Sequence, residues 1–290
     1  MILGFVFALA TILLFGSWPV PTHLIEASPP TKALWLTTGH FVLSLIVFAA
    51  TDSSIPVDAS VLPLSCGAVW GIGMICGFVA IKNIGVTRGI GLWVPVVILT
   101  SAAWGLFFFG EWWSFPASKL LFSGVAIVLV LTAVFLVILS KNEDTPVRNL
   151  RVGIASAIAL GLAHGSYFIP LHESNYSIFA TFLPLSVGMI VITCFYAKLT
   201  KSQINHGAIA NLRMLSAGAL LGGGNYMALL TIDYLGVALG YPLTQLGIVI
   251  NTLWGIFYFG EVQTRKSMVY ISVGIFLIIM GALLMSFVQA

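Results

Sequence analysis

Charge is what this sequence has least of. Asp, Glu, Lys and Arg make up only 7% of its 290 residues, while 59% are hydrophobic. That excludes a water-soluble domain of this size, because so much apolar surface does not stay wetted. Cysteine is scarce too. Cys66, Cys76 and Cys194 stand in or beside apolar runs without metal-like spacing, which excludes a disulfide scaffold and a cysteine metal site and leaves them as small buried hydrophobes. There is no G-x-x-x-x-G-K-[ST] loop, no H-E-x-x-H, no G-x-S-x-G and no pair of carboxylates deep in an apolar run. These absences argue against an ATP-driven pump and an intramembrane enzyme, and no cofactor or metal is expected. Long polar stretches are missing as well, so there is no room for a soluble domain.

What is present is apolar length. A helix needs about 20 apolar residues to cross a bilayer. Ten such stretches occur, near 2–20, 33–50, 60–80, 88–109, 119–139, 152–170, 176–198, 212–232, 236–259 and 268–288. The first has no basic flank and no clear small-residue cleavage site, so it reads as a spanning helix rather than a removable signal. The expected fold class is an all-α integral membrane protein with ten transmembrane helices. Lys and Arg gather in cytoplasmic loops. Ten spans put Lys32, Lys82, Arg88, Lys141, Arg148, Arg151, Lys198, Lys201, Arg213, Arg265 and Lys266 on one side, and Lys119 alone on the other. Both termini are then expected outside. The net charge of +3 is this bias, not a nucleic-acid footprint.

The chain also repeats itself. Residues 85–111 read GVTRGIGLWVPVVILTSAAWGLFFFGE, and 236–261 read GVALGYPLTQLGIVINTLWGIFYFGE. Gly16-Ser17-Trp18-Pro19-Val20-Pro21 matches Gly165-Ser166-Tyr167-Phe168-Ile169-Pro170; Gly39 matches Gly188; Gly71 and Gly73 match Gly222 and Gly224. The expected organisation is a five-helix repeat over 1–140, a cytoplasmic linker over 141–151 and a second five-helix repeat over 152–290. An odd helix count makes the second copy enter the membrane from the opposite side, which gives an inverted repeat. Such a pair offers two nearly equivalent states, open inward or outward, as alternating access requires.

Five plus five helices in this arrangement resemble the drug/metabolite transporter superfamily. Phe15-Gly16-Ser17-Trp18-Pro19-Val20-Pro21, with Gly85-Val86 and the ending Trp104-Gly105 through Phe109-Gly110-Glu111, resembles its glucose/ribose porter and rhamnose–proton symporter-like branch, with ureide permease-like relatives. The resemblance implies uptake of a sugar or small neutral metabolite, often with a proton. Members of the branch often carry a Lys two residues after the first-helix proline; here that residue is His23.

Polar groups at membrane depth are expensive and usually functional. Asn225, Thr244, Gln245 and Asn251 are neutral hydrogen-bonding groups suited to hydroxyls or amides. Trp18, Trp70, Trp93, Tyr167 and Tyr226 offer faces on which a sugar ring packs. These nine are the candidate substrate-binding residues, with interhelical bonding or packing as the alternative for each. His40 and His164 lie within helices and titrate near neutral pH. With the repeat partners Glu111 and Glu261, they are the candidates for proton coupling or gating. Trp35, Trp112 and Trp113 read as interface anchors. Pro95, Pro184 and Pro242 interrupt apolar runs, and the first and last of these lie in the duplicated helices as candidate hinges.

The expected function is secondary active transport of a small neutral solute, foremost a sugar, across the membrane by alternating access, with a proton as candidate coupling ion. The partners are that small-molecule substrate, H+ and membrane lipid, with no nucleic acid. The plasma (inner) membrane is the expected location in a prokaryote. The alternatives are a permease or exporter for ureides or other small metabolites, and a non-transporting scaffold or sensor. A cationic drug is disfavoured because no central carboxylate is there to pair with it.

Overall fold

The computed structural model describes residues 2–51, 61–104, 116–139, 147–167, 170, 176–235, 244, 246–260 and 264–289. Within them lie ten α-helices and no strand: α1 Ile2–Ser17, α2 Pro29–Ala50, α3 Val61–Ile84, α4 Val86–Ala103, α5 Ala117–Leu139, α6 Leu150–Ser166, α7 Ile178–Leu199, α8 Ala208–Leu235, α9 Gly247–Phe257 and α10 Arg265–Gln289. Five are long and apolar enough to cross a membrane: α1 with the turn to Thr22, α2, α3, the stretch Phe179–Leu199 of α7, and α8. Shorter apolar stretches lie in α4, α5, α6 and α9. Large hydrophobic side chains cover the outside. Ile46, Val128, Phe135, Val191, Phe195 and Phe276 are all more than half exposed, as expected where lipid is the solvent.

Helix starts are marked in the sequence. Ser28 caps α2 by accepting from the Thr31 amide, and two prolines follow it, where their missing N–H groups cost nothing. Ser177 caps α7 the same way through the Ala180 amide, and Asn149 caps α6 through Val152.

Helices in lipid gain no hydrophobic drive to associate, so close backbone approach must hold them together. It occurs at two crossings. Where α2 crosses α8, the Leu36 carbonyl faces Gly218 and the Leu215 carbonyl faces Gly39; a Cβ on either glycine would overlap that oxygen. Where α3 crosses α7, Gly67 meets the Leu185 carbonyl and Gly188 meets the Leu64 carbonyl in the same way. Gly39 and Gly188 are 149 residues apart, Gly67 and Gly218 151. The first helices follow suit. Gly16 of α1 sits against Ile250 of α9, and Gly165 of α6 against Thr100 of α4. Beside these contacts, Trp254 Nε1 donates to Ser17 Oγ (3.1 Å) and Trp104 Nε1 to Ser166 Oγ (2.8 Å). α5 and α10 pack chiefly on each other. The largest buried cluster runs from Trp18 through Trp70, Met74 and Phe78 of α3 to Trp93 of α4, Leu160 of α6 and Met189 of α7.

The crossings give a stability test. Gly218→Leu must push α8 off α2. It is expected to lower the melting temperature in detergent by several degrees, the consequence of an overpacking penalty of about 1–3 kcal/mol or more. Gly124→Ala in α5, where a Cβ meets nothing within 4 Å, is expected to leave melting unchanged. Equal melting of the two variants would refute the role of the α2–α8 crossing.

Candidate functional site

Trp70 is the centre of the candidate site. It is 2% exposed, near the middle of α3. On one side the His164 ring of α6 stacks on its indole (centroids 4.8 Å apart, planes 16° apart), and His164 Nε2 lies 3.1 Å from the Trp70 carbonyl. That carbonyl has no proton, so Nε2 donates. Space for the imidazole exists because residue 73 is glycine; a Cβ there would come within 2.7 Å of His164 Cδ2. On another side is His40 of α2, fully buried, its ring centroid 6.1 Å from Trp70 and 5.0 Å from Phe182. His40 Nδ1 lies 2.9 Å from Ser186 Oγ of α7, and His40 Nε2 lies 3.0 Å from Asn225 Nδ2 of α8. Tyr167 meets His164 edge-on at 6.1 Å, and Tyr226 lies 5.5 Å from Phe182.

Five helices therefore converge: α2, α3, α6, α7 and α8. They bring together six of the residues singled out in the sequence, namely His40, Trp70, His164, Tyr167, Asn225 and Tyr226. Aromatic faces, two imidazoles, an amide and a hydroxyl stand in one apolar surrounding. Such a lining offers ring surfaces for C–H groups and neutral donors and acceptors for hydroxyls.

Other candidates fall elsewhere. Trp18 is buried at the end of α1, edge-on to Phe78 at 5.8 Å. Trp93 is buried on α4, with its ring packed over Gly77 and Gly89. Asn251 of α9 is buried and donates its amide to the Gly16 carbonyl (3.2 Å), a bond between helices. Thr244 is buried. Gln245, Glu111 and Glu261 lie outside the described residues, as does Pro242; Pro95 and Pro184 lie inside α4 and α7. His23, at the resemblance's lysine position, stacks on Phe259 (4.2 Å) in the turn after α1 and accepts from Arg213 at its carbonyl.

Sequence reasoning missed Ser186 and Phe182. Ser186 Oγ also donates to the Phe182 carbonyl one turn back (2.9 Å). A serine that can satisfy itself within its own helix gives no sign in sequence that it serves a partner.

Comparison with known proteins settles the family. A family model described as sugar transport protein matches residues 6–288. The chain belongs to that family. It is 26% identical over 288 residues to a "Putative sugar uptake protein" of Enterococcus faecalis, covering 98% of each chain. A protein of that name from Lactiplantibacillus plantarum is 26% identical over 99% of this chain and all of its own length, and one from Listeria monocytogenes is 25% identical over 96% and 97%. A solved crystal structure superposes with a TM-score of 0.60 at 14% identity, over 97% of this chain and 95% of that one; that likeness concerns the fold alone.

The stack on Trp70 is separable from its hydrogen bond. His164→Phe keeps a ring there, as Phe15 does at the matching position of the first half. It is expected to reduce stability by about 1 kcal/mol, the net worth of one hydrogen bond. His164→Ala also loses the stacking, and is expected to lose about 1 kcal/mol more. Thermal melts in detergent measure both; a Phe variant no better than Ala would refute the stacking role.

Proposed function

We propose that the protein is a secondary transporter that carries a sugar or similarly neutral, hydroxyl-rich solute through the Trp70 cluster by alternating access. The cluster itself carries the reading: aromatic faces beside neutral hydrogen-bonding groups, on helices of which α2, α3, α7 and α8 hold stretches of membrane-spanning length. None of the nine acidic residues lies on the central turns of the described helices. Asp233 comes nearest, close to the C-terminal end of α8. A cationic solute would lack a partner there. Membership of the sugar transport family and relatives named for sugar uptake agree with this substrate class.

The finer parts of the proposal rest on specific features. The ten helices are read as ten spans, and the two halves, 1–140 and 152–290, as inverted repeats. In support, α2 meets α8 as α7 meets α3, and α1 meets α9 as α6 meets α4, through glycines and Trp–Ser pairs 149 to 151 residues apart. The Lys and Arg distribution favours both termini outside, and the plasma (inner) membrane is the location read for a prokaryotic chain. His40 and His164 are the proposed proton-coupling groups, and Trp70, Tyr167, Asn225 and Tyr226 the proposed substrate contacts. Trp254–Ser17 and Trp104–Ser166 then stand near opposite faces of the membrane. There each is suited to a gate contact.

Uptake into proteoliposomes tests the reading. Labelled monosaccharides and ureides are offered with and without an inward proton gradient. Sugar flux stimulated by the gradient is the expected result. Flux indifferent to the gradient would remove the coupling and keep the substrate class. Ureide flux alone would replace the sugar. No flux, from liposomes shown to hold folded protein, would leave a scaffold or sensor. Trp70→Ala is expected to abolish sugar flux, with at least a tenfold loss; unaffected flux would move the binding site elsewhere.

A further inference from the structure

The hydrogen bonds around His40 have a direction, and one atom sets it. Ser186 Oγ lies 2.9 Å from the Phe182 carbonyl oxygen, which only accepts. In the structure the Ser186 hydroxyl donates to that carbonyl. Toward His40 Nδ1, also 2.9 Å away, Ser186 can only accept. With the hydroxyl so placed, His40 carries its proton on Nδ1. Its Nε2 is left with a lone pair, facing Asn225 Nδ2 at 3.0 Å, so the Asn225 amide donates. The chain runs from Asn225 through His40 and Ser186 to the Phe182 carbonyl.

One atom is left over. With its NH2 turned to His40, Asn225 keeps its Oδ1 pointed away, and that oxygen has no hydrogen-bond partner among the described residues. Asn225 is only half-buried, and the next residue is Tyr226, itself in the cluster.

We propose that Asn225 Oδ1 is the solute's hydrogen-bond acceptor, held in that role by Ser186 through His40, so that the site reads one ring hydroxyl as a donor. This deepens the transport reading and rests on it. Asn225 is the specificity contact; in the state that reads the hydroxyl, His40 is neutral and, with Ser186, positions the amide, and a coupling proton taken up at Nε2 would break that arrangement. Recognition of an O–H as donor differs from recognition of an oxygen as acceptor. Replacing the hydroxyl by hydrogen or by fluorine removes the donor in both cases, whereas fluorine retains weak acceptor character.

Two measurements test this. The first is the tautomer of His40, read from 15N shifts in histidine-labelled protein and assigned by loss of the signal in His40→Gln. Protonated Nδ1 and bare Nε2 are expected, and Ser186→Ala should move the proton to Nε2, while Ser186→Thr should preserve the wild-type pattern. A proton on Nε2 in the wild type would overturn the proposal, whether or not any sugar is carried. The second is competition for uptake by deoxy and deoxyfluoro analogues of the transported sugar. At one ring position both should compete about tenfold less well than the parent. In Ser186→Ala, the freed amide can turn its NH2 to the solute, and the fluoro analogue should regain competition relative to the deoxy one. A deoxyfluoro series that competes like the parent at every position would overturn the proposal, as would a Ser186→Ala change that weakens all analogues equally. Absence of wild-type uptake would instead count against the transport reading, and the tautomer would still decide the polarity of the chain.

Discussion

Everything in this molecule depends on how closely four helices approach. In lipid, side-chain burial gives no net hydrophobic gain between helices, and association rests on packing and on bonds between helices. Gly39 and Gly218 let α2 and α8 touch through their backbones; Gly67 and Gly188 do the same for α3 and α7. The site sits directly on these crossings. His40 follows Gly39, and Asn225 lies two turns beyond Gly218. Trp70 is one turn beyond Gly67, and Ser186 is two residues before Gly188. A wider crossing would part His40 from Asn225 and Ser186, leaving the buried imidazole without these partners. That would cost about 1–3 kcal/mol for each unsatisfied group. Packing and site chemistry are therefore one constraint.

The helices were legible because a long apolar helix has a length and a composition, and both appear in sequence; five of them are long and apolar enough to cross a membrane. The crossings were half legible. Gly39 and Gly188 stood out by repetition, but nothing in sequence tells which carbonyl a glycine admits. The cluster was legible as a set of residue types, since imidazole, indole and amide are conspicuous in apolar runs. Its wiring was not. Asn225 and Asn251 look alike in sequence, each an amide in an apolar helix. One donates to His40, 185 residues away, and the other to the Gly16 carbonyl, 235 residues away. Only tertiary packing separates an amide that faces a half-buried cluster from one that fastens two helices.

The two halves agree where the scaffold is concerned and differ where chemistry is concerned. The glycines of the crossings recur, as do Ser17 and Ser166, Trp104 and Trp254, and the capping residues Ser28 and Ser177. The cluster does not recur. The matching positions for His40, Trp70, Asn225 and His164 hold Met189, Leu221, Met74 and Phe15. A symmetric cluster would place a second set of buried imidazoles and amides in the fold, each needing its own partners. On the alternating-access reading, a second set would also give the solute a second resting place. On the same reading, repeated glycines give two like crossings, each joining one helix of each half, so that loosening either one carries a similar cost. On that reading, a single polar cluster gives both states one common site. On that reading, a repeated scaffold that carries one unrepeated cluster satisfies two demands that a fully symmetric chain would set against each other.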